Sequence, residues 1–181
     1  MKKLFYTSAA DFLLQERDRL LSLLGQSLVA TWIVWDQERD EWFADEPVVL
    51  QFSQDRIAIV FARLDELSVT WNTIDLQATP NWWGCYEYLD LQWRESGNEI
   101  LAANVGATLS GISVVEMFSL TTVVEDPLHP ERVGAVSTSW LLHALEFHFG
   151  QAVTAIFNAL DENGVQAVSH AGSDYRHTLV N

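Results

Sequence analysis

The chain contains one cysteine, Cys85, and four prolines. A lone thiol excludes an intrachain disulfide framework and a zinc site built from several cysteines. Lysine stops at Lys3, so every later cation is one of eight arginines, facing 25 acidic side chains. A net charge of −15 repels a phosphate backbone and excludes nucleic acid as the expected partner. No run approaches the ~18 apolar residues that a membrane span needs. Leu4-Phe5-Tyr6 is too short for a signal-peptide core and an acidic helix follows it, so the expectation is a cytoplasmic protein with no membrane partner. Also missing are a Gly-x-Ser-x-Gly elbow, a phosphate loop and a dinucleotide fingerprint. The chain therefore offers no catalytic residue, cofactor or metal from motif alone, and leans away from an enzyme.

What is present argues for order. With 49% hydrophobic residues, eight Trp and nine Phe, this is not a disordered acidic tail. Its 181 residues suit a single domain burying roughly 70% of the unfolded surface. The charge is spread, with 16 acids against 8 bases in residues 1–95 and 9 against 2 in residues 96–181. Such a field keeps a protein soluble and speeds encounter with a basic partner.

Local pattern points to one amphipathic helix followed by strands. Ser8 and Asp11 resemble a capping box. Leu13, Leu20 and Leu24 recur at helical spacing, residues 15–19 form a polar sector, and Gly25 stands where a left-handed residue ends a helix. Strand-like runs follow at 28–35, 48–52, 57–61, 67–71, 89–93, 112–120, 140–149, 153–160 and near Val165. Pro127, Pro130 and Gly134 mark a loop within 125–137.

An internal similarity organises these runs. LQFSQDRIAIVFARLDE at 50–66 resembles LEFHFGQAVTAIFNALDE at 145–162, and LGQSL at 24–28 resembles VGATL at 105–109. The expected fold is mainly β (β-rich α+β), a duplicated, pseudo-twofold antiparallel barrel or sandwich with an N-terminal amphipathic helix. It forms a single domain, 1–181, of two units at about 1–95 and 96–181. The matched Leu50, Phe52, Ile57, Phe61, Leu145, Phe147, Val153 and Phe157 are the expected core.

Two segments stand out as binding candidates. The stretch from Trp35 to Glu46 holds Asp36, Glu38, Asp40, Glu41, Asp45 and Glu46 around Trp42. Carboxylates that steer, beside aromatics that anchor, compose an interaction hot spot; a solvated turn with inward Trp rings has the same composition. Trp82 and Trp83 follow Pro80 in a loop, where they form either a stacking platform or a plug. The two Leu-Asp-Glu copies suggest a carboxylate pair, Asp65 and Asp161, or simply two turns. His143 and His148, five apart on a strand, face opposite ways unless a bulge intervenes. His170 and His177 flank Asp174 in a polar C-terminal segment.

The leading expectation is a non-enzymatic, acidic binding protein, in one form an antidote masking a basic protein such as a toxin or nuclease. A small-ligand or carbohydrate-binding β module is the alternative, and a carboxylate-dependent hydrolase a further one.

Overall fold

The computed structural model describes residues 4–124 and 133–181. Helix α1 spans Ala9–Leu23, with the Ser8 hydroxyl accepting from Asp11 N at 3.1 Å. Gly25 then takes φ +83°, the left-handed turn that frees the chain to leave the helix. The buried face is not centred on the leucines that the periodicity suggests. It runs Ala9, Phe12, Glu16, Leu20, Leu23, while Leu13 and Leu24 only flank it. Glu16 lies within the expected polar sector but is buried, because its carboxylate accepts from Tyr6 Oη (2.6 Å) and Trp71 Nε1 (2.8 Å). Burial, and then the Glu16 carboxylate, hold the Tyr6 phenol far above its ordinary range.

Strands β1 (Leu28–Asp36), β2 (Glu41–Trp42), β3 (Val48–Phe52), β4 (Arg56–Ala62), β5 (Glu66–Trp71) and β6 (Leu91–Glu95) form the first antiparallel sheet. Trp35 pairs with Trp42 and with Gln92, so β2 and β6 lie on opposite edges of β1. After a short helix α2 (Glu99–Ala102) come β7 (Gly111–Val124), β8 (Val133–Phe149), β9 (Ala152–Asn158), β10 (Asn163–Gln166) and β11 (Tyr175–Leu179). These make the second antiparallel sheet, ordered β10-β9-β8-β7-β11. The mainly β expectation holds, with its N-terminal helix. The barrel does not: the strands form two separate sheets rather than a closed one.

Both sheets and α1 contribute to one core cluster, including Phe12, Phe52, Phe61, Leu67, Leu145, Phe147 and Ile156. The sheets meet near the two left-handed glycines, where Gly25 N donates to Leu109 O (2.9 Å) and Gly106 N to Leu28 O (2.8 Å). Six of the eight expected core residues are buried; Val153 and Phe157 are not. Leu50 pairs with Ile57 in the β3–β4 hairpin, but its counterpart Leu145 pairs with Ile156, three residues beyond Val153. Since strand faces alternate, an odd offset turns these two side chains to the opposite face. Ile156, opposite Leu145, enters the core instead.

Three elements, β2, α2 and β11, go beyond what the sequence pattern predicts. Gly134 and residues 133–137 belong to β8 rather than to a loop, and Pro127 and Pro130 lie outside the described residues. The 89–93 run is shifted to Leu91–Glu95.

Phe157 has its own place on the outer face, over Gly164, its cross-strand partner. A Cβ at Gly164 would sit 2.4 Å from Phe157 Cζ, and that ring is flanked by His143 and His170. Gly164→Ala is expected to cost roughly 1–3 kcal/mol by overpacking. The loss should shrink in a Phe157→Leu background, a coupling that urea denaturation of the four-member cycle measures.

Candidate functional site

The segment 35–46 folds back as a turn between β1 and β2 and a short passage into β3, and its acids divide by depth. Asp36 is 1% exposed; its Oδ1 accepts from Glu38 N (2.9 Å) and Arg39 N (3.1 Å), holding the turn closed. Glu38, Asp40 and Glu41 are exposed. Asp40 sits at φ +52° and accepts from Trp35 Nε1 at 3.0 Å, while Arg94 stacks 4.0 Å from the Trp35 ring centroid. Trp42 packs on the core, and its buried indole N–H has no hydrogen-bond partner among the described residues.

The end of this segment meets the tryptophan loop. Glu46 is fully buried, and both its carboxylate oxygens lie 2.9 Å from Trp82 N. Trp83 Nε1 donates to Asp45 O (2.7 Å), and the Trp83 ring stacks on Phe5 at 5.9 Å. Tyr86 Oη lies 3.4 Å from Asp45 Oδ2. Its phenol is pushed up to about 12, first by burial and then by the Asp45 carboxylate. Two stretches 36 residues apart are thus fastened together, which neither composition indicates alone.

Beside this junction opens a cleft of about 340 Å³, walled by Pro47, Ile74, Pro80, Trp82 and Trp93, with Glu46 and Asp75 as its charged lining. Trp93, from β6, carries a buried indole N–H with no hydrogen-bond partner among the described residues. Trp83 is not part of the wall. Residues 64–93 contain Asp65, Glu66, Asp75, Glu87 and Asp90 and no lysine or arginine, so the loop around the cleft has charge of one sign.

A second polar cluster, on the outer face of the second sheet, brings together residues that the sequence pattern leaves unconnected. Glu146 is fully buried and accepts from Ser169 Oγ (2.7 Å) and His170 N (2.7 Å), with His170 Nδ1 at 3.1 Å and His177 Nδ1 at 3.4 Å. His170 Nε2 in turn lies 3.2 Å from His143 Nε2. The His143 imidazole is pushed down to about 4 by burial, then by the neighbouring His170. The Glu146 carboxyl is held below its ordinary range by its His170 and Ser169 hydrogen bonds, against the desolvation that would raise it. The signal in the sequence is indirect. Pairing passes from Val115↔Ala144 to Glu116↔Leu142, leaving His143 as the extra residue of a bulge. That bulge turns His143 toward the partners of Glu146. His148 takes a different one, with Nε2 3.0 Å from Ser113 Oγ. The geometry clasps residues 169–177 onto the sheet. Among the described residues no group of three or more His, Cys, Asp or Glu is placed to hold a metal ion, and no helix is long and apolar enough to cross a membrane.

The two Leu-Asp-Glu copies form the turns after β4 and β9. The turns are neighbours, since Asn158 Nδ2 donates to Arg63 O. Among the described residues no hydrogen bond or ion pair joins Asp65 to Asp161. No family model, curated protein or solved structure matches the chain in three comparisons with known proteins.

Proposed function

We propose that the chain is a non-enzymatic binding protein whose recognition surface is the junction of residues 35–46 with the 73–93 segment, and that it takes a cationic group of a basic partner protein into the cleft. One observation carries this reading: an aromatic- and proline-walled recess whose charged lining is acidic, in a loop without bases. Tryptophan faces and a lining whose charge is acidic both favour a guanidinium or ammonium over a neutral group. The cleft is within the size range of small-ligand sites. The wider anionic field would raise the encounter rate with a basic protein. Masking of such a partner, as an antidote does, is the form of function this chemistry suits.

The test is a fluorescence and calorimetric titration with short arginine-containing peptides and a panel of neutral sugars. Binding of the cationic peptides that weakens steeply with salt, and is lost in Trp93→Ala, is the expected result. Trp93→Phe keeps the ring and removes the N–H, so it separates stacking from hydrogen bonding. Binding of neutral sugars without salt dependence would favour the carbohydrate reading. Silence toward every probe would remove the cleft as the site.

We also infer that residues 1–95 and 96–181 are two copies of one unit. In each, a helix and a left-handed glycine precede a meander, and the final strand returns to pair with the first, β6 on β1 and β11 on β7. Hydrogen bonds between the units are reciprocal: Leu28 N donates to Ala107 O and Leu109 N to Gln26 O, each at 2.9 Å. Phe52 and Phe147, matched in the repeat, lie 6.4 Å apart by ring centroids.

A further inference from the structure

Strands β7 and β8 pair from Gly111↔His148 out to Val124↔Val133. Their neighbours stop much sooner. β9 pairs with β8 only at residues 144–149, and β11 pairs with β7 only at 113–117. The remaining residues make a two-stranded arm that projects about 20 Å beyond the sheet at ~3.3 Å per residue. Phe118, Leu120 and Val136 are exposed on it, with Trp140 half-buried nearer the base. An isolated two-stranded ribbon is marginal in water, and a long free edge without charge or proline is a template for another strand.

These exposed strands are uncharged. Residues 117–124 and 133–142 contain no Asp, Glu, Lys, Arg or His, in a protein of net charge −15. The sequence joining them holds Glu125, Asp126, Glu131 and Arg132, and at the base of the arm the ionic groups are engaged with one another. Arg176 pairs with Glu116 at 2.6 Å and lies 4.7 Å from the Trp140 ring centroid.

We infer that the arm is a self-association surface, and that its occupant is a second copy of this chain pairing through the outer edge of β8, residues 133–143. The free stretch of β8 is longer than that of β7, where Phe118 N already donates to Asp174 O. An edge meeting its own copy antiparallel about a twofold axis is self-complementary. The charge pattern selects the same occupant. A basic partner finds no carboxylate on these strands, whereas two copies can pair along edges that themselves carry no charge. Arms of this length keep the bodies farther apart than the ~8 Å screening length at physiological salt. The proposal is independent of the cleft.

Sedimentation across a wide protein concentration range, with amide hydrogen exchange by NMR, tests it. The wild type should double its mass as concentration rises. The alternate β8 amides that point away from β7 should become protected. Val136→Glu/Thr138→Glu places carboxylates at two exposed positions, so the fold should persist by circular dichroism while the mass halves and that protection vanishes. A wild type that stays monomeric at the highest concentration overturns the inference. So does a dimer that survives the double substitution, or one whose outward β8 amides exchange freely. A monomer that binds only some other protein through the arm does the same.

Discussion

Replacing Asn163 by alanine is expected to cost about 3–5 kcal/mol of stability, a large loss for one polar side chain. Asn163 opens β10 in the second sheet and is 1% exposed, yet the partners of its side chain lie on β4 and in the turn between β2 and β3. Its Oδ1 accepts from Phe61 N at 2.8 Å, its Nδ2 donates to Ala44 O at 3.0 Å and Glu46 O at 2.9 Å, and its backbone N donates to Ala44 O at 3.1 Å. Truncation leaves a strand N–H and a carbonyl buried without partners, and each such orphan costs about 1–3 kcal/mol. Asn163→Asp is the sharper experiment. It keeps the acceptor for Phe61 but points an oxygen, charged or protonated, at two carbonyls. A near-isosteric change should therefore destabilise at least as much as alanine. Urea denaturation measures both. An Asp variant within about 1 kcal/mol of wild type would mean that the donor side of Asn163 contributes little net stability. Because Asn163 grips the backbone at Ala44 and Glu46, the same variants should loosen the cleft and weaken any ligand bound there, even at temperatures where they remain folded.

Asn163 also shows what a single sequence conceals. Between a Leu-Asp-Glu turn and a short strand it reads as another turn residue, and nothing local reveals partners 102 and 117 positions away. The legible features are those encoded by neighbours. The Ser8 cap, the stop at Gly25 and the alternation of Val48, Leu50 and Phe52 each depend on residues a few positions apart. Glu16 departs from its expected exposure because its burial rests on Trp71, 55 residues away. Val153 and Phe157 depart from the core because an odd offset in hairpin register exchanges two faces, and apolar composition is the same on either side of such a slip.

The candidate site divides the same way. Aromatic and acidic residues stand out in the sequence at 35–46 and at 82–83, but their junction depends on the Glu46 carboxylate reaching Trp82 N. Burial also reverses the meaning of two of the acids. Asp36 and Glu46 spend their charge on backbone amides in the interior, leaving Glu38, Asp40, Glu41 and Asp75 as exposed carboxylates. A density of acids in sequence is therefore a poor measure of the field that a partner meets. Trp93 reads in the sequence only as a strand residue, and it lines the cleft because β6 returns to β1.

Acid should unfasten the clasp on the second sheet before it unfolds the rest. His143 has an ordinary value of 6.5 and is pushed down to about 4 in the fold. Between these limits the unfolded chain binds a proton that the folded chain refuses, so stability falls as pH falls through that window, by at most about 3 kcal/mol. Glu146 acts lower. Its carboxyl is depressed below 4.5, so its contribution is present above 4.5 and lost as pH falls through its folded value. The two losses join end to end and strike one assembly, because His170 bridges the two groups and Ser169 and His177 hold the same carboxylate. Tyr175, 5.0 Å from His170 by ring centroids, packs on the same histidines and would be released with them. An opposing effect comes from the rest of the surface. The formal charge of −15 shrinks toward zero near the isoelectric point of about 4.4, relieving self-repulsion as the clasp weakens. Comparison with a variant removes that background. His143→Gln retains a polar group and cannot titrate, so its stability should vary with pH by about 3 kcal/mol less than wild type between pH 7 and pH 4. Urea denaturation at intervals of pH gives the difference, and hydrogen exchange of the β11 amides should report the release first. Parallel pH profiles for wild type and His143→Gln would show that His143 is accommodated as readily charged as neutral, and that the clasp does not depend on its protonation.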